Sequence, residues 1–207
     1  SQVGLGVRSS SITTIFTQGS FYESTNNFAF AIDGQGFFAI QGQDGNTYYT
    51  RNGNFQVSLG KNGLELTTTD GERVLDTTGK PITFEKDMTA SNITVSSDGE
   101  FLYPDEKGNP VSIGKTIGLY QFNNPSGLEK HDSSLYEVTV ASGAAINEST
   151  ATNISKSSIA QGYLEGSNVQ LADEMVNLIV AQRAYEANSK AITTSDEMLG
   201  QANQLKR

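Results

Sequence analysis

The residue types that most often carry out chemistry are sparse in this sequence and lie in turn-like contexts. His131 is the only histidine, and it lies in a polar stretch from Glu129 to Asp132. A catalytic triad with Asp132 and a serine is conceivable, but no nucleophile-elbow pattern accompanies these residues. A zinc site built on histidine needs more than one. We therefore interpret His131 as a solvated loop residue.

Two further patterns could belong to a ligand site, and each has a simpler interpretation. Acidic residues could pair across a cleft as in glycosidases, but most lie in Asx-Gly turns or on the polar face of a helix. Residues 33–36 read Asp-Gly-Gln-Gly, which is too short for a dinucleotide fingerprint and precedes no predicted helix. Asp44-Gly45-Asn46 lacks the spaced ligands and closing glutamate of an EF-hand loop. We therefore predict no enzyme activity, no cofactor and no metal.

Tyrosines raise the question of carbohydrate binding. Tyr48, Tyr49 and Tyr103 could form an aromatic platform for sugars. Packing of aromatic side chains across neighbouring strands is the favoured interpretation of the same residues. A carbohydrate-binding β module is therefore kept as a remote alternative.

Composition and charge narrow the classes of function. The 207 residues suffice for one large or two modest domains, and a 36% apolar content with 21 glycines suits many short strands. The net charge of −9 argues against nucleic acid and anionic membranes, whose binding depends on lysine and arginine. No apolar run could insert into a membrane, and the first residues carry no cleavable signal pattern. The absence of cysteine excludes disulfides and thiolate chemistry.

Alternating apolar residues from Phe28 to about Val140 predict strands, each with one face on a core. Asx-Gly pairs between them favour type I′ hairpins and related turns, and they predict an antiparallel meander of about ten strands. We predict an extended lead-in over 1–27 with a strand around Ile12 to Phe16, a loop over 141–158, and a last strand near Ser158 to Leu164. The six pairs are Asp33-Gly34, Asp44-Gly45, Asn52-Gly53, Asn62-Gly63, Asp70-Gly71 and Asp98-Gly99.

A change to helical periodicity follows Ser167. Ser167 and Gln170 fit a capping box, and the helix is predicted to run from Asn168 to Leu199, about 48 Å, with Gly200 near its end. A large apolar residue recurs every seven positions, which is typical of coiled-coil or bundle packing. The fold class is therefore mainly β, an antiparallel multi-stranded domain plus one long coiled-coil-type C-terminal α-helix. The subunit-packing face consists of Leu171, Met175, Leu178, Ile179, Gln182, Tyr185, Ile192 and Leu199.

An alternative interpretation gives the helix a partner within its own chain. It could fold back onto the β domain of its own chain, as in a self-contained adhesin-like protein. A rod of 48 Å exceeds the width of a small β domain, so packing against other copies is favoured. The β-rich domain is predicted over 1–164 and the helical region over 165–207.

Several segments together resemble bacterial flagellar rod and hook proteins. Residues 31–38 resemble the strand–turn–strand signature of that family, and 174–179, 181–190 and 194–199 resemble its C-terminal helix. The remaining matching segments are 49–55, 122–128, 161–166 and 167–169.

The resemblance implies a structural subunit, most similar to those of the distal rod. Such subunits assemble helically into a hollow drive shaft that transmits torque, with 165–207 in the inner tube layer and 1–164 in an outer layer. A short hook protein or a proximal rod protein is the alternative. The implied partners are copies of the chain, other axial proteins of rod and hook, and the flagellar export apparatus. The implied location is the flagellar basal body, outside the cytoplasm, after export without a cleaved signal.

The resemblance also concerns the start of the chain. Family members pair the C-terminal helix with an N-terminal helix that carries an Ala-Asn-Asn-type motif. No such motif is present, and the chain begins at Ser1 without an initiator methionine. We therefore expect the chain to begin inside a longer protein.

Overall fold

The structure is a computed structural model that describes residues 13–60, 63–86, 88–132 and 134–204. It has a β-rich unit that ends at Ser167 and a second unit that begins at Asn168 and contains one long helix. The predicted fold class, antiparallel sheets plus a long C-terminal helix, is confirmed. Within the described residues, no helix is both long enough and apolar enough to cross a membrane.

The described residues form more and shorter strands than the ten predicted, together with single 3₁₀ turns at Ala90–Asn92 and Pro125–Gly127 and the helix α1, Leu171–Gln204. The strands are β1 Phe21–Glu23, β2 Phe30–Asp33, β3 Phe37–Gln41, β4 Thr47–Thr50, β5 Phe55–Leu59, β6 Leu64–Thr68, β7 Arg73–Val74, β8 Thr83–Phe84, β9 Thr94–Val95, β10 Glu100–Pro104, β11 Pro110–Thr116, β12 Leu119–Gln121, β13 Glu129–Asp132, β14 Leu135–Glu137, β15 Ile146–Asn147, β16 Ser158–Gln161 and β17 Tyr163–Glu165.

The strands do not follow one another as a simple meander, so that part of the prediction is wrong. The largest sheet has the order β13-β14-β4-β3-β7-β6-β5, with β12, β15 and β8 attached to it. The smaller sheets are β11-β10-β9, β16-β2 and β1-β17. Pairs such as β16 with β2 join strands distant in sequence. Turn signals reveal only local neighbours, whereas these pairings depend on how the buried faces fit together.

The turns recur with one hydrogen-bond pattern. In the turn from Gly42 to Asn46, the Gly45 N–H donates to the Gly42 carbonyl and the Gly42 N–H donates to the Asn46 carbonyl. The same pair of bonds closes the turns that begin at residues 68, 76, 96 and 105. Each places a glycine at positive φ, and no non-glycine residue of the described ranges has positive φ. These are type I turns with a bulged glycine, which belong to the turns related to type I′ that the Asx-Gly pairs also allow.

Asn52-Gly53 is not a hairpin turn, contrary to the prediction. Gly53 has no positive φ. A β-carbon added at Gly53 would lie 1.9 Å from the Phe30 carbonyl oxygen, so glycine is needed there for close approach of two backbones. Asp33-Gly34 joins β2 to β3 without pairing them. The predicted Asn62-Gly63 turn lies partly outside the described residues.

The core occupies both faces of the main sheet. Most predicted inward-facing residues are buried in one large cluster, including Phe30, Ile32, Phe38 and Ile40. A smaller cluster on the other face contains Phe37, Ala39, Tyr49, Leu75 and Phe122, so β3 is covered on both sides. Leu59, which was predicted to face the core, is 85% exposed because β5 extends past the packed region at the sheet edge.

The lead-in differs from the prediction of a strand around Ile12 to Phe16. Ile12 lies outside the described residues, and 13–16 form no strand because Phe16 packs its ring against Phe37 and Tyr136 instead of pairing its backbone. The strand of this region is β1, which pairs with β17.

The segment before the helix also differs from its prediction. The last predicted strand is divided into β16 and β17 by Gly162, whose φ is +79°. The short strand β15 lies in the segment 141–158 that was predicted as a loop.

The helix begins three residues later than the capping-box pattern predicts. The Gly166 N–H donates to the Ser20 carbonyl and prolongs the extended β1–β17 pairing. The Glu174 N–H donates to the Gln170 carbonyl, so Gln170 is the residue before the first helical residue, Leu171. The helix continues through Gly200 to Gln204.

Tyr49 supplies a prediction for alkaline pH. Burial raises the pKa of Tyr49 to about 12. The neutral phenol therefore contributes stability that is complete below about pH 10 and is lost as the pH rises toward 12. We expect Tyr49→Phe to match the wild type at about pH 8 and to exceed its unfolding free energy by on the order of 1 kcal/mol at about pH 11. Urea titrations followed by circular dichroism measure this difference, and identical pH profiles would contradict it.

Candidate subunit-packing helix and its anchor

The eight residues of the predicted packing face all lie on α1. At ~100° per residue they occupy an arc of about 160°, with Leu171, Leu178 and Gln182 near its centre. The seven apolar members are 55% to 76% exposed. Burying each such side chain is worth roughly 1.5–3 kcal/mol, so this face provides a strong driving force for packing.

The seven-residue spacing of Leu171, Leu178, Tyr185, Ile192 and Leu199 has a geometric consequence. In a straight helix of 3.6 residues per turn, a strict heptad repeat drifts by ~20° per repeat. A gentle left-handed supercoil removes this drift and keeps all five side chains toward one neighbour. The spacing is therefore suited to coiled-coil-type contacts.

A second apolar strip lies on the opposite side of α1. Val176, Val180 and Met198 are 58%, 62% and 65% exposed, and Ala187 and Ala191 lie between them. The prediction from sequence missed this strip because its members are smaller. The seven-residue spacing of Ala184, Ala191 and Met198 was the available signal. A helix with apolar strips on two sides is suited to packing between neighbours.

Contacts within the helix are weak by comparison. Gln182 donates to Glu186 across one turn, and Arg183 forms an exposed ion pair with Glu186 at 3.4 Å. Such pairs contribute about 0.2–0.5 kcal/mol each. Asp173 and Glu174 add a favourable interaction with the helix dipole in the first turn. Packing of the apolar strips is therefore the larger source of stability.

The strand that leads into the helix belongs to a two-stranded ribbon, which consists of β1 and β17. Phe21 pairs with Glu165 and Glu23 pairs with Tyr163. The bond from the Gly166 N–H to the Ser20 carbonyl, at 2.8 Å, extends the pairing beyond β17. A two-stranded ribbon is marginally stable alone, so it depends on contacts with the rest of the β unit.

Arg51 supplies the anchor of this ribbon. Its Nε and Nη2 lie 2.9 and 2.8 Å from Glu165 Oε2, and the two side chains are only 14% and 10% exposed. The other carboxylate oxygen of Glu165 accepts the Gly19 N–H at 3.0 Å. One buried carboxylate of β17 thus joins the segment just before β1 to one guanidinium.

The remaining N–H groups of Arg51 hold the turn between β2 and β3. Nη1 donates to the carbonyls of Gly34 and Gly36, both at 3.0 Å, and Nη2 donates to that of Ile32 at 3.4 Å. The guanidinium also lies 5.8 Å from the centre of the Phe37 ring. Four hydrogen bonds and the ion pair with Glu165 therefore engage all three nitrogens of the guanidinium.

A second buried network holds the other side of the same turn. The Gly36 N–H donates to Ser157 Oγ at 3.0 Å, and Ser157 donates its hydroxyl to Glu148 at 2.9 Å. The Glu148 carboxylate also accepts the Ser157 N–H and the Gln121 side-chain amide. The turn is therefore held between Arg51 and Glu148.

The residues considered for chemistry occupy structural positions. His131 lies in β13 rather than in a loop and stacks on Tyr48 at 4.6 Å. Tyr49 lies on the opposite face of β4 and packs edge-on against Phe122, which confirms aromatic packing for this tyrosine and separates it from Tyr48. Tyr103 packs against the large core cluster instead. Among the described residues no group of three or more acidic, histidine or cysteine side chains could hold a metal ion.

Fold and helix together define a class: a β protein that carries one long helix with exposed apolar strips. Residues 31–103 match the family described as the flagellar hook protein FlgE/F/G D1 domain. Residues 160–205 match the family described as the flagellar basal body rod FlgEFG protein C-terminal region.

Individual relatives agree with these matches. The flagellar basal-body rod protein FlgG of Borreliella burgdorferi is 41% identical over 208 residues, which cover 100% of this chain and 75% of the relative. FlgG of Bacillus subtilis is 39% identical over 206 residues, with coverage of 100% and 75%. The Bacillus subtilis hook-basal body complex protein FlhP is 32% identical, with coverage of 99% and 74%. The chain belongs to the flagellar basal-body rod protein family.

Gly36 provides a test of the network around the turn. A β-carbon at this position would lie 2.6 Å from Glu148 Oε1 and 3.0 Å from Ser157 Oγ, in a buried site. We expect Gly36→Ala to lower the unfolding free energy by about 1–3 kcal/mol, as overpacked sites do. Gly200→Ala is the control, because it meets open space in a helix and stabilises by up to ~1 kcal/mol. Equal shifts of the two urea midpoints would refute the network.

Proposed function

We propose that the chain is a structural subunit of the distal part of the flagellar rod. It assembles helically with copies of itself into the hollow shaft that carries torque from the motor to the hook. The observation that carries this proposal is the paired apolar strips of α1, together with relatives named as basal-body rod proteins over nearly the whole chain. The role is mechanical rather than enzymatic.

The arrangement of α1 suits a helical array. Head-to-tail contacts that do not close into a ring generate an open filament. In such a filament each helix has neighbours on two sides, which is the situation that two opposite apolar strips require. The eight-residue face from Leu171 to Leu199 packs on one neighbour, and the strip containing Val180 packs on another. Residues 165–207 then form the inner layer, and 1–164 form the outer layer.

Other axial proteins are the remaining partners in this proposal. A rod subunit meets rod subunits of other types at one end and hook subunits at the other. The proposed location is the basal body, outside the cytoplasm. Export by the flagellar apparatus without a cleaved signal stays a prediction from the family resemblance.

A hook or proximal rod subunit is the second candidate. The similarity to FlhP, which is named as a hook-basal body complex protein, favours keeping this candidate. Electron microscopy of cells that lack this protein separates the candidates. Loss of the distal rod and all that lies beyond it is expected for a distal rod subunit, whereas loss of the hook alone would indicate a hook subunit.

The packing face can be tested by placing one charge on it. We expect Leu178→Asp, made in the native gene, to abolish or sharply reduce flagella, because an unpaired carboxylate would be buried between subunits. Asn188→Asp adds the same charge on an edge of the helix between the two strips, and we expect near-normal flagella. Flagella are counted by electron microscopy, and swimming is measured in soft agar.

Two controls make this test decisive. Circular dichroism and thermal unfolding of the free chain establish that Leu178→Asp leaves the β unit folded. Normal rods in the Leu178→Asp strain would refute the proposed packing face. Equal loss of flagella in the Leu178→Asp and Asn188→Asp strains would show that the packing face is not confined to the side of the helix that carries Leu178.

A further inference from the structure

The ribbon of β1 and β17 is the part of the β unit from which the chain proceeds to α1. Tyr22 in this ribbon is 63% exposed, and Phe21 and Tyr163 are 38% and 41% exposed. Apolar burial at these positions is therefore incomplete. The ribbon must be held in place by its polar contacts to a greater extent than the strands of the core.

We propose that Arg51 is a positioning residue that fixes the ribbon to the β unit, so that a load on the base of the helix reaches the sheet through its guanidinium. The claim that Arg51 transmits load rests on the proposed rod function. The claim that Arg51 positions the ribbon does not, because it concerns contacts within the β unit alone.

The path of contacts is continuous. Glu165 lies six residues before the first helical residue, and its carboxylate binds Arg51 and the Gly19 N–H. Arg51 binds the carbonyls of the turn, and Gly36 of that turn binds Ser157. Ser157 and Gln121 meet at the buried carboxylate of Glu148, and Gln121 belongs to β12, which pairs with β3.

The proposed role of Arg51 depends on the shape of its guanidinium as well as on its positive charge. A lysine has three donors on one nitrogen and no planar fork, so it cannot meet the carboxylate and three separated carbonyls together. Lysine at this position should therefore hold the ribbon poorly. Removing only one partner of a buried ion pair also leaves a buried charge without compensation.

The chain offers a matched control. Arg73 and Glu65 form an ion pair with the same 2.8 Å separation, between β6 and β7 of the main sheet. The Arg73 side chain is 46% exposed, against 14% for Arg51. Solvent screening makes the exposed pair weaker. The hydrogen bond and the ion pair that the structure describes for Arg73 are both made with Glu65, which lies in β6 and not in the ribbon. Arg73→Met therefore removes an ion pair of the same length without releasing the ribbon.

Hydrogen–deuterium exchange of the free chain tests the positioning role. We expect Arg51→Met to accelerate amide exchange in 18–24 and 162–166 by about tenfold or more, with exchange in the β5–β6 hairpin nearly unchanged. Arg51→Lys should reproduce most of this effect. Glu165→Gln, which keeps the side-chain shape, should give a smaller acceleration at the same amides. Arg73→Met should leave the ribbon protected.

A second readout separates positioning from general stability. Because the chain lacks cysteine, Glu23→Cys and Lys107→Cys can carry spin labels in the ribbon and at a distant turn. Pulsed electron resonance should give a narrow distance distribution that broadens with Arg51→Met and stays narrow with Arg73→Met. Should Arg51→Met not fold, Arg51→Lys and Glu165→Gln provide the same comparison.

Two results would overturn the proposal. The first is ribbon exchange that is unchanged in all three variants at Arg51 and Glu165. The second is an Arg73→Met variant that releases the ribbon equally, which would indicate general destabilisation. Since both measurements use the unassembled chain, their outcome is independent of whether the protein builds rods.

Discussion

A single buried guanidinium joins three parts of the chain that are far apart in sequence. Arg51, which follows β4, binds Glu165 of the ribbon and the backbone carbonyls of the turn after β2. Burial makes this arrangement demanding, because each donor left without an acceptor would cost free energy. The buried donors of Arg51 find these acceptors because the turn after β2, Glu165 and the segment before β1 all lie against the guanidinium. The strand that continues into the helix therefore starts from a fixed place.

The helix differs from the Arg51 anchor in that its side chains are exposed and its surface has apolar strips. Its polar contacts are few and exposed, and its apolar side chains exceed what a solvated helix needs. The β unit buries apolar clusters on both faces of β3. The chain thus combines a β unit that has its own core with a helix whose large apolar side chains are exposed. In our proposal the β unit is packed before assembly, and assembly buries the apolar strips of the helix.

Sequence reasoning succeeded where the signal is local. Heptad spacing identified the helix, alternation identified most core positions, and Asx-Gly pairs marked turns such as the one at Gly45. The turn type was left open, because a glycine signal does not distinguish a type I′ turn from a type I turn with a bulge. The start of the helix was predicted at Asn168 because Ser167 and Gln170 fit a capping box, whereas the Glu174 N–H donates to the Gln170 carbonyl and the helix begins at Leu171.

The anchor could not be predicted from the sequence because its acceptors are mostly backbone carbonyls. Arg51 stands in one of the segments that resemble the flagellar family, but nothing in its spacing indicates Glu165 as its partner. The buried network of Glu148 and Ser157 is hidden for the same reason, since a glutamate in a polar stretch is expected to be exposed. Both depend on sheet pairings that join distant segments, such as β16 with β2.

Intersubunit crosslinking along α1 tests the central claim most directly. Single photo-crosslinking residues placed at successive helix positions, in full-length protein assembled into basal bodies, report which side chains meet a neighbouring subunit. Our account predicts efficient crosslinks to a neighbouring subunit at Leu178, Tyr185 and Ile192, with lower yields at edge positions such as Asn188. It also predicts a weaker second maximum near Val180 and Ala187. A yield that is uniform along the helix, or absent at the seven-residue positions, would contradict the account.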